Sequence, residues 1–208
     1  MENKKLWDLV KVTDPAAVKK ITGKSYQGDS PKPYWVIEKA TETFGPIGIG
    51  WGVTVKSERF ERMSDTDVLH VAVVSVWYVL DGKRSESFDQ MGGTKACYLT
   101  SAGKLMVDED AGKKSVTDGM VKCLSMLGFC GDIFSGMWND SKYVAWAAEQ
   151  YAPPIDLQPI LRGIEKSASL DVLRVHFDTA ISMLGEEHHQ AVKDAANKRK
   201  NELKGVAA

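Results

Sequence analysis

Val68-Leu-His-Val-Ala-Val-Val-Ser-Val-Trp-Tyr-Val-Leu80 runs straight into Asp81-Gly82. A long run rich in valine, with Trp77 and Tyr78 near its end, suits a pleated and largely buried strand. Asp-Gly directly after such a run is the strongest short signal for a tight hairpin, because both central residues of that turn need positive φ. Arg84 to Phe88 reads as the return strand, with polar alternation fitting one wet face. Upstream, Ile49 to Val55 reads as another strand. Strands joined by short turns imply an antiparallel meander rather than parallel βαβ units. Gly92-Gly93-Thr94 reads as a break in that sheet, with a short strand from Lys95 to Thr100 beyond it.

Helical periodicity surrounds this centre. From Tyr34 to Phe44 the positions Tyr34, Ile37, Ala40, Thr41 and Phe44 share a face, and Gly45-Pro46 stops the run. Val107 to Leu127 carries Val116, Met120, Cys123, Leu124 and Leu127 on one face and Lys114, Asp118, Lys122 and Ser125 on the other. Asp108-Glu109-Asp110 is expected in its first turn, where the macrodipole favours acids, with Gly128 closing the helix. Before the sheet, Lys4 to Lys24 shows a short amphipathic pattern interrupted at Asp14-Pro15, which suits an N-cap and first turn of a second short helix. Gly23 to Pro33 reads as a loop. Tyr151-Ala-Pro-Pro154 reads as a linker, which divides the chain into a core over residues 1–150 and a module over 151–208. Leu170, Leu173, Phe177, Ile181 and Leu184, then Ala191, Val192, Ala195, Ala196 and Leu203, make two apolar stripes. They predict a helical hairpin or three-helix module from about 155 to 204. The expected class is α+β.

Composition narrows the functions. The chain of 208 residues is 43% hydrophobic and 26% charged, enough to bury a real core. Its net charge of -1, from 27 basic and 28 acidic residues, argues against a wholly basic surface but leaves room for a local basic stripe. Three cysteines, Cys97, Cys123 and Cys130, cannot form a complete set of intrachain disulfides and fit a reducing cytoplasm. With no CxxC pair and four scattered histidines, no metal site is expected. The polar first residues lack the apolar core of a signal peptide, and no apolar run approaches a membrane span.

No constellation for covalent catalysis emerges from spacing. Gly48-Ile-Gly50-Trp-Gly52 lacks the following Lys-Ser/Thr of a phosphate loop and opens no helix. Asp108, Glu109 and Asp110, with Asp118, could be read as the metal cluster of a nuclease. Neighbouring residues on a helix point in different directions, so they make a poor shared coordination sphere. His70, inside an apolar strand, reads as a satisfied core or interface residue, and His188-His189 as a solvated helix face.

Positive charge does cluster. The first 35 residues hold seven lysines against four acids, with Lys19, Lys20, Lys24 and Lys32 among them. Lys95 and Lys104 flank the glycine-rich segment, and Lys113, Lys114 and Lys122 lie on the long helix. Lysines near loops and on one helix face suit a narrow groove for a single-stranded backbone. Trp7, Tyr26, Tyr34, Trp35, Trp51 and Tyr98 could stack on bases, though burial in the core explains most of them.

The long helix, Lys113-Lys-Ser-Val-Thr-Asp-Gly-Met-Val-Lys-Cys-Leu-Ser-Met-Leu-Gly128, resembles the K-x-A-V-T-D-G-L-K-R-A-L-R-x-F-G helix of the Rad fifty-two-like single-strand annealing proteins. Val36-Ile-Glu-Lys-Ala-Thr-Glu-Thr-Phe-Gly45, followed by Gly50-Trp51, is similar to that family's V-I-x-x-A-N-E-x-F-G…G-W segment, and Asp81-Gly82 falls at its hairpin turn. The likeness spans roughly residues 10 to 140 in order and is nearest to the phage branch, the Sak-type recombinases.

The resemblance implies a meander packed on the long helix and subunits joined edge to edge in a ring. It also implies single-stranded DNA around the outside and ATP-independent annealing in recombination or repair, without catalytic residue or cofactor. Residue by residue, it implies a DNA contact at Lys122. The preceding basic position falls on Val121, and the one three further on falls on Ser125, so those two contacts are missing. Lys113 and Lys114 are the substitutes to hand. The family's N-terminal arginine falls near Lys19 or Lys20, and its outer contact near Lys95 and Lys104. Cytoplasmic residence follows, in a host cell if the chain is phage-encoded. By analogy, residues 155–208 would contact a host single-stranded-DNA-binding protein. Asp118 is expected to pair with Lys114 or Lys122. The competing readings are an oligomeric adaptor recruiting a partner through its C-terminal helices, and the metal-dependent nuclease.

Overall fold

The computed structural model describes residues 2–22 and 26–205. The chain divides into two compact units, Met1–Ala152 and Pro153–Ala208. Among the described residues no helix is long and apolar enough to cross a membrane.

The first unit is α+β. Helix α1 (Lys5–Val10) leads to a 3-10 turn at Pro15–Ala17, where the Asp14 carboxylate accepts from the Ala16 amide at 2.8 Å. The cap is as read from Asp14-Pro15, but no helix grows from it. Val18–Lys20 instead forms β1, paired antiparallel with β2 (Asp29–Pro31), inside the stretch read as a loop. Helix α2 (Pro33–Phe44) follows. It starts on a proline that needs no amide partner and stops at Gly45, whose φ is 97°.

The sheet that follows is an antiparallel meander in the order β3 (Trp51–Arg62), β4 (Val68–Leu80), β6 (Phe88–Leu99), β7 (Leu105–Val107). A two-residue β5 (Lys83–Arg84) pairs only with the end of β4. Asp81 and Gly82 have φ of 50° and 73°, as the tight turn demands. The return strand is broken rather than continuous over 84–88. Tyr78 spends its amide on the Ser85 hydroxyl (2.9 Å), and ladder pairing with β4 resumes at Phe88, opposite Val76. Strand β3 is longer than Ile49–Val55 because it follows β4 along its whole length, past a bulge between Val55 and Ser57.

The largest correction concerns Gly92-Gly93. They do not break the sheet; they lie in the middle of β6, opposite Ala72 and Val71. Helix α3 (Ala111–Met126) packs on the face made by β4 and β6, and its backbone comes down on Gly92. A Cβ at Gly92 would sit 1.9 Å from the Ser115 carbonyl oxygen and 2.4 Å from the Gly119 nitrogen. Gly119 is the matching half of the contact, since its own Cβ would meet Val74 at 2.8 Å. The glycines are there for the approach of two backbones.

Helix α3 also starts later than Val107. Leu105–Val107 is taken as β7, and the Asp108 amide still bonds the Ala96 carbonyl, so Asp108-Glu109-Asp110 forms the turn before the helix. Between sheet and helices lie Val10, Val36, Phe44, Trp51, Val74, Val76, Cys123, Leu124 and Phe129, all buried. Each large apolar side chain so enclosed contributes roughly 1.5–3 kcal/mol. Short helices α4 (Gly131–Phe134) and α5 (Ser141–Gln150) complete the unit.

The second unit is three helices, α6 (Gln158–Glu165), α7 (Leu170–Met183) and α8 (His189–Gly205). Ile164, Leu173, Ala180, Leu184 and Val192 form its core. His189 is not on a solvated face: its Nε2 lies 3.0 Å from the Leu184 carbonyl and 3.1 Å from that of Ile181, at the end of α7.

Candidate nucleic-acid interface

Periodicity on α3 builds one wall of a groove. Asp110, Lys113, Lys114, Thr117, Asp118 and Val121 recur at helical spacing and line one flank of the helix, running from its exposed side down to the edge of the sheet. The β1–β2 ribbon supplies the other wall through Lys19, Ser30 and Pro31, with Pro33 of α2 at the end. The open groove between them has a volume of about 510 Å³. Alternation along β1 puts Lys19 into it and sends Lys20 to the opposite side, where it pairs with Asp29 at 2.9 Å.

The charges in the groove are not idle. Lys113 pairs with Asp110 at 2.9 Å and Lys114 with Asp108 at 2.6 Å, while Lys122, just beyond Val121, pairs with Asp118 at 3.2 Å. The hydrogen bond and charge of Lys113 hold the Asp110 carboxyl below its ordinary pKa, and Lys113 and Lys114 are raised in turn. Among the described residues Lys19 has no carboxylate within ion-pair distance. Asp118 takes the Lys122 alternative of the two expected partners, and its Oδ2 also accepts from the Gly93 amide at 3.1 Å. The Thr117-Asp118-Gly119 triplet thus has a local account. Thr117 bonds back to the Lys113 carbonyl at 2.8 Å, Asp118 ties the helix to β6, and Gly119 seats on Gly92.

The remaining lysines lie elsewhere. Lys95 is on β6, 3.0 Å from Asp67 and 5.6 Å from the Tyr98 ring, and Lys104 is in the turn between β6 and β7. Neither lines the groove. Lys24 lies outside the described residues. Sequence reasoning missed Ser30, Pro31 and Pro33 because the ribbon that brings them to α3 spans a segment that looks like featureless loop.

Aromatic side chains divide sharply. Trp51 is wholly buried, whereas Tyr34, next to the groove-lining Pro33, is 85% exposed and Tyr26 is 59% exposed. His70 is buried against Phe60, yet only Glu58 approaches its Nε2, at 3.6 Å, and its Nδ1 has no partner among the described residues. It is a core histidine, but not a satisfied one. No three His, Cys, Asp or Glu side chains among the described residues stand close enough to share a metal ion, and Asp108, Asp110 and Asp118 each face a different lysine.

The groove thus sets Lys19, on the ribbon, opposite two helix lysines that are each paired with an aspartate. No protein-family model matches this chain, and no curated protein matches it either.

Proposed function

We propose that the chain binds single-stranded DNA and anneals complementary strands without ATP, in homologous recombination or repair of the phage type. The observation that carries this reading is the groove in which Lys19 of the ribbon faces Lys113 and Lys114 of α3. Backbone contacts of this kind hold a strand without reading its sequence and leave base edges free to find a partner. The three ordered motifs that resemble the Rad fifty-two-like annealing proteins point the same way. Subunits acting together would present the groove repeatedly along one strand. Strand β3, whose Val55 and Phe60 are exposed, and the exposed three-residue β7 are the two edges at which neighbours in a ring would pair.

The test is annealing of two complementary fluorescent oligonucleotides without nucleotide or metal, with wild type beside Lys19→Ala, Lys113→Ala, Lys114→Ala and Lys122→Ala. The expected outcome is rapid annealing by wild type, slowed most by changes at Lys19, Lys113 and Lys114. Each lost phosphate contact should flatten the log-log salt dependence of binding by about 0.7. Absence of binding and annealing in folded wild type would remove the reading.

A second reading, an oligomeric adaptor, has one observation of its own. Between α7 and α8 a groove of about 320 Å³ is floored by Leu170, Leu173 and Phe177 and rimmed by Arg174 and Lys200, a fit for an acidic segment with an apolar anchor. A host single-stranded-DNA-binding protein is the partner this reading would put there.

A further inference from the structure

Three lysines of α3 meet three aspartates one to one. The pairs are Lys113–Asp110 at 2.9 Å, Lys114–Asp108 at 2.6 Å and Lys122–Asp118 at 3.2 Å. Charge along this face of the helix therefore sums to zero, and Lys19 on the ribbon is left as the uncompensated cation of the groove. A phosphate arriving at Lys113 meets a lysine already hydrogen-bonded to a carboxylate. The ammonium keeps donors free for it, but the carboxylate beside it already neutralises the charge and repels the phosphate, so the new contact gains little. Both partners are charged at neutral pH, as an aspartate and a lysine ordinarily are, and the pairing shifts each further toward its ionised form. The competition is thus present whenever nucleic acid arrives.

We infer that Asp110 and Asp118 are selectivity-determining residues of the groove, competing with nucleic-acid phosphates for Lys113 and Lys122 and so keeping the hold on DNA weak enough to release the annealed product. The inference rests on the single-strand reading above. Duplex DNA carries about one charge per 1.7 Å and responds to added protein charge more steeply than a single strand, by about 0.9 against 0.7 per contact on the log-log salt plot. Removing the aspartates therefore strengthens duplex binding more than single-strand binding. The electrostatics of the helix act against retention of the product. Three aspartates placed beside three lysines would otherwise be an odd choice for a surface that holds a polyanion.

Asp110 and Asp118 are the residues to change. The Asp110 side chain makes no cap to the helix, and an asparagine at 118 keeps an oxygen for the Gly93 amide. Asp108 is less suitable, since its carboxylate also accepts from the Asp110 amide at 3.1 Å. The experiment is fluorescence anisotropy with the full chain, a labelled single-stranded oligonucleotide and the corresponding duplex, over a series of KCl concentrations. The proteins are wild type, Asp110→Asn, Asp118→Asn and the double variant. Single-strand affinity should rise roughly threefold for each substitution and about tenfold for both, the scale of an exposed ion pair. The salt slope should steepen by about 0.7 for each lysine released, and the preference for single strands should narrow. In a Lys113→Ala background, the gain from Asp110→Asn should shrink to what relief of the Asp110 charge beside Lys114 supplies. Folded variants with wild-type affinity and slope would overturn the inference, as would a gain from Asp110→Asn that is undiminished without Lys113. Wild type that binds no DNA even at low salt would be a different failure, that of the single-strand reading itself.

Discussion

Asp132 is a buried carboxylate that no cation among the described residues pairs with. Its Oδ2 accepts from the Thr13 amide (2.8 Å), the Trp138 indole (2.9 Å) and the Tyr143 hydroxyl (3.0 Å). Its Oδ1 accepts from the Thr13 hydroxyl (2.6 Å) and the Ile133 amide (2.8 Å). Five neutral donors converge on two oxygens, so the cost of burying the charge is met by hydrogen bonds alone. An asparagine here turns one acceptor into a donor facing donors. Asp132→Asn should lower stability by about 2–4 kcal/mol, read as a fall in the urea midpoint with an unchanged m-value. Tryptophan fluorescence is the right probe, because all six tryptophans lie before residue 152. A second readout is the Tyr143 phenol, which burial first and the Asp132 charge second push far above its ordinary value. Losing the negative charge should let Tyr143 ionise at lower pH, visible in ultraviolet absorbance. Retention of both the midpoint and the tyrosine titration would contradict this account. Nothing in the sequence announces Asp132, since its key partner Thr13 lies 119 residues away. The same limit applies to the groove: Lys113 and Lys114 can be picked out as helix-face lysines, but the ribbon that carries Lys19 to them cannot.

At the level of elements, the meeting of β6 with α3 shows where local rules give way. Two adjacent glycines in a polar segment are a sound breaker signal taken alone. What overrides it is a contact between elements: the β6 backbone at Gly92 and the α3 backbone at Ser115 and Gly119 are too close for a side chain. The long runs could be read directly, Val68–Leu80 from its valines and Pro33–Phe44 from its spacing and its Gly45 stop. The start of α3 could not, because Leu105–Val107 is claimed by the sheet edge. Gly92→Ala tests this contact. The added Cβ would meet a carbonyl oxygen and an amide nitrogen, neither able to swing away, so the helix must lift from the sheet. The loss should exceed the roughly 1–3 kcal/mol of an ordinary overpacked core. Gly93→Ala, with only the His70 carbonyl oxygen near, at 3.7 Å, should be far milder. Thermal unfolding of the two variants side by side is the measurement, and equal losses would show that backbone approach is not what Gly92 provides.

For the molecule as a whole, the distribution of cores matters more than net charge. A balance of -1 conceals a groove with its own local charge, so composition alone could not have located it. The first unit encloses its core between the meander, α2 and α3, drawing every buried member of that cluster from residues before 134. The second has its own smaller cluster around Ile164, Leu173 and Val192. Because each cluster closes within its unit, a chain ending at Ala152 should keep a cooperative unfolding transition in tryptophan fluorescence. Residues 153–208 alone, too short a chain to bury a large share of their surface, should be helical but only marginally stable by circular dichroism. The groove formed by Lys19, Lys113 and Lys114 lies wholly in the first unit, so the shortened chain should also anneal complementary oligonucleotides. A folded 1–152 chain that binds single strands but fails to anneal them would assign the pairing step to the C-terminal helices. A folded chain that neither binds nor anneals, while the full chain does both, would move the binding site out of the groove and make it depend on residues 153–208.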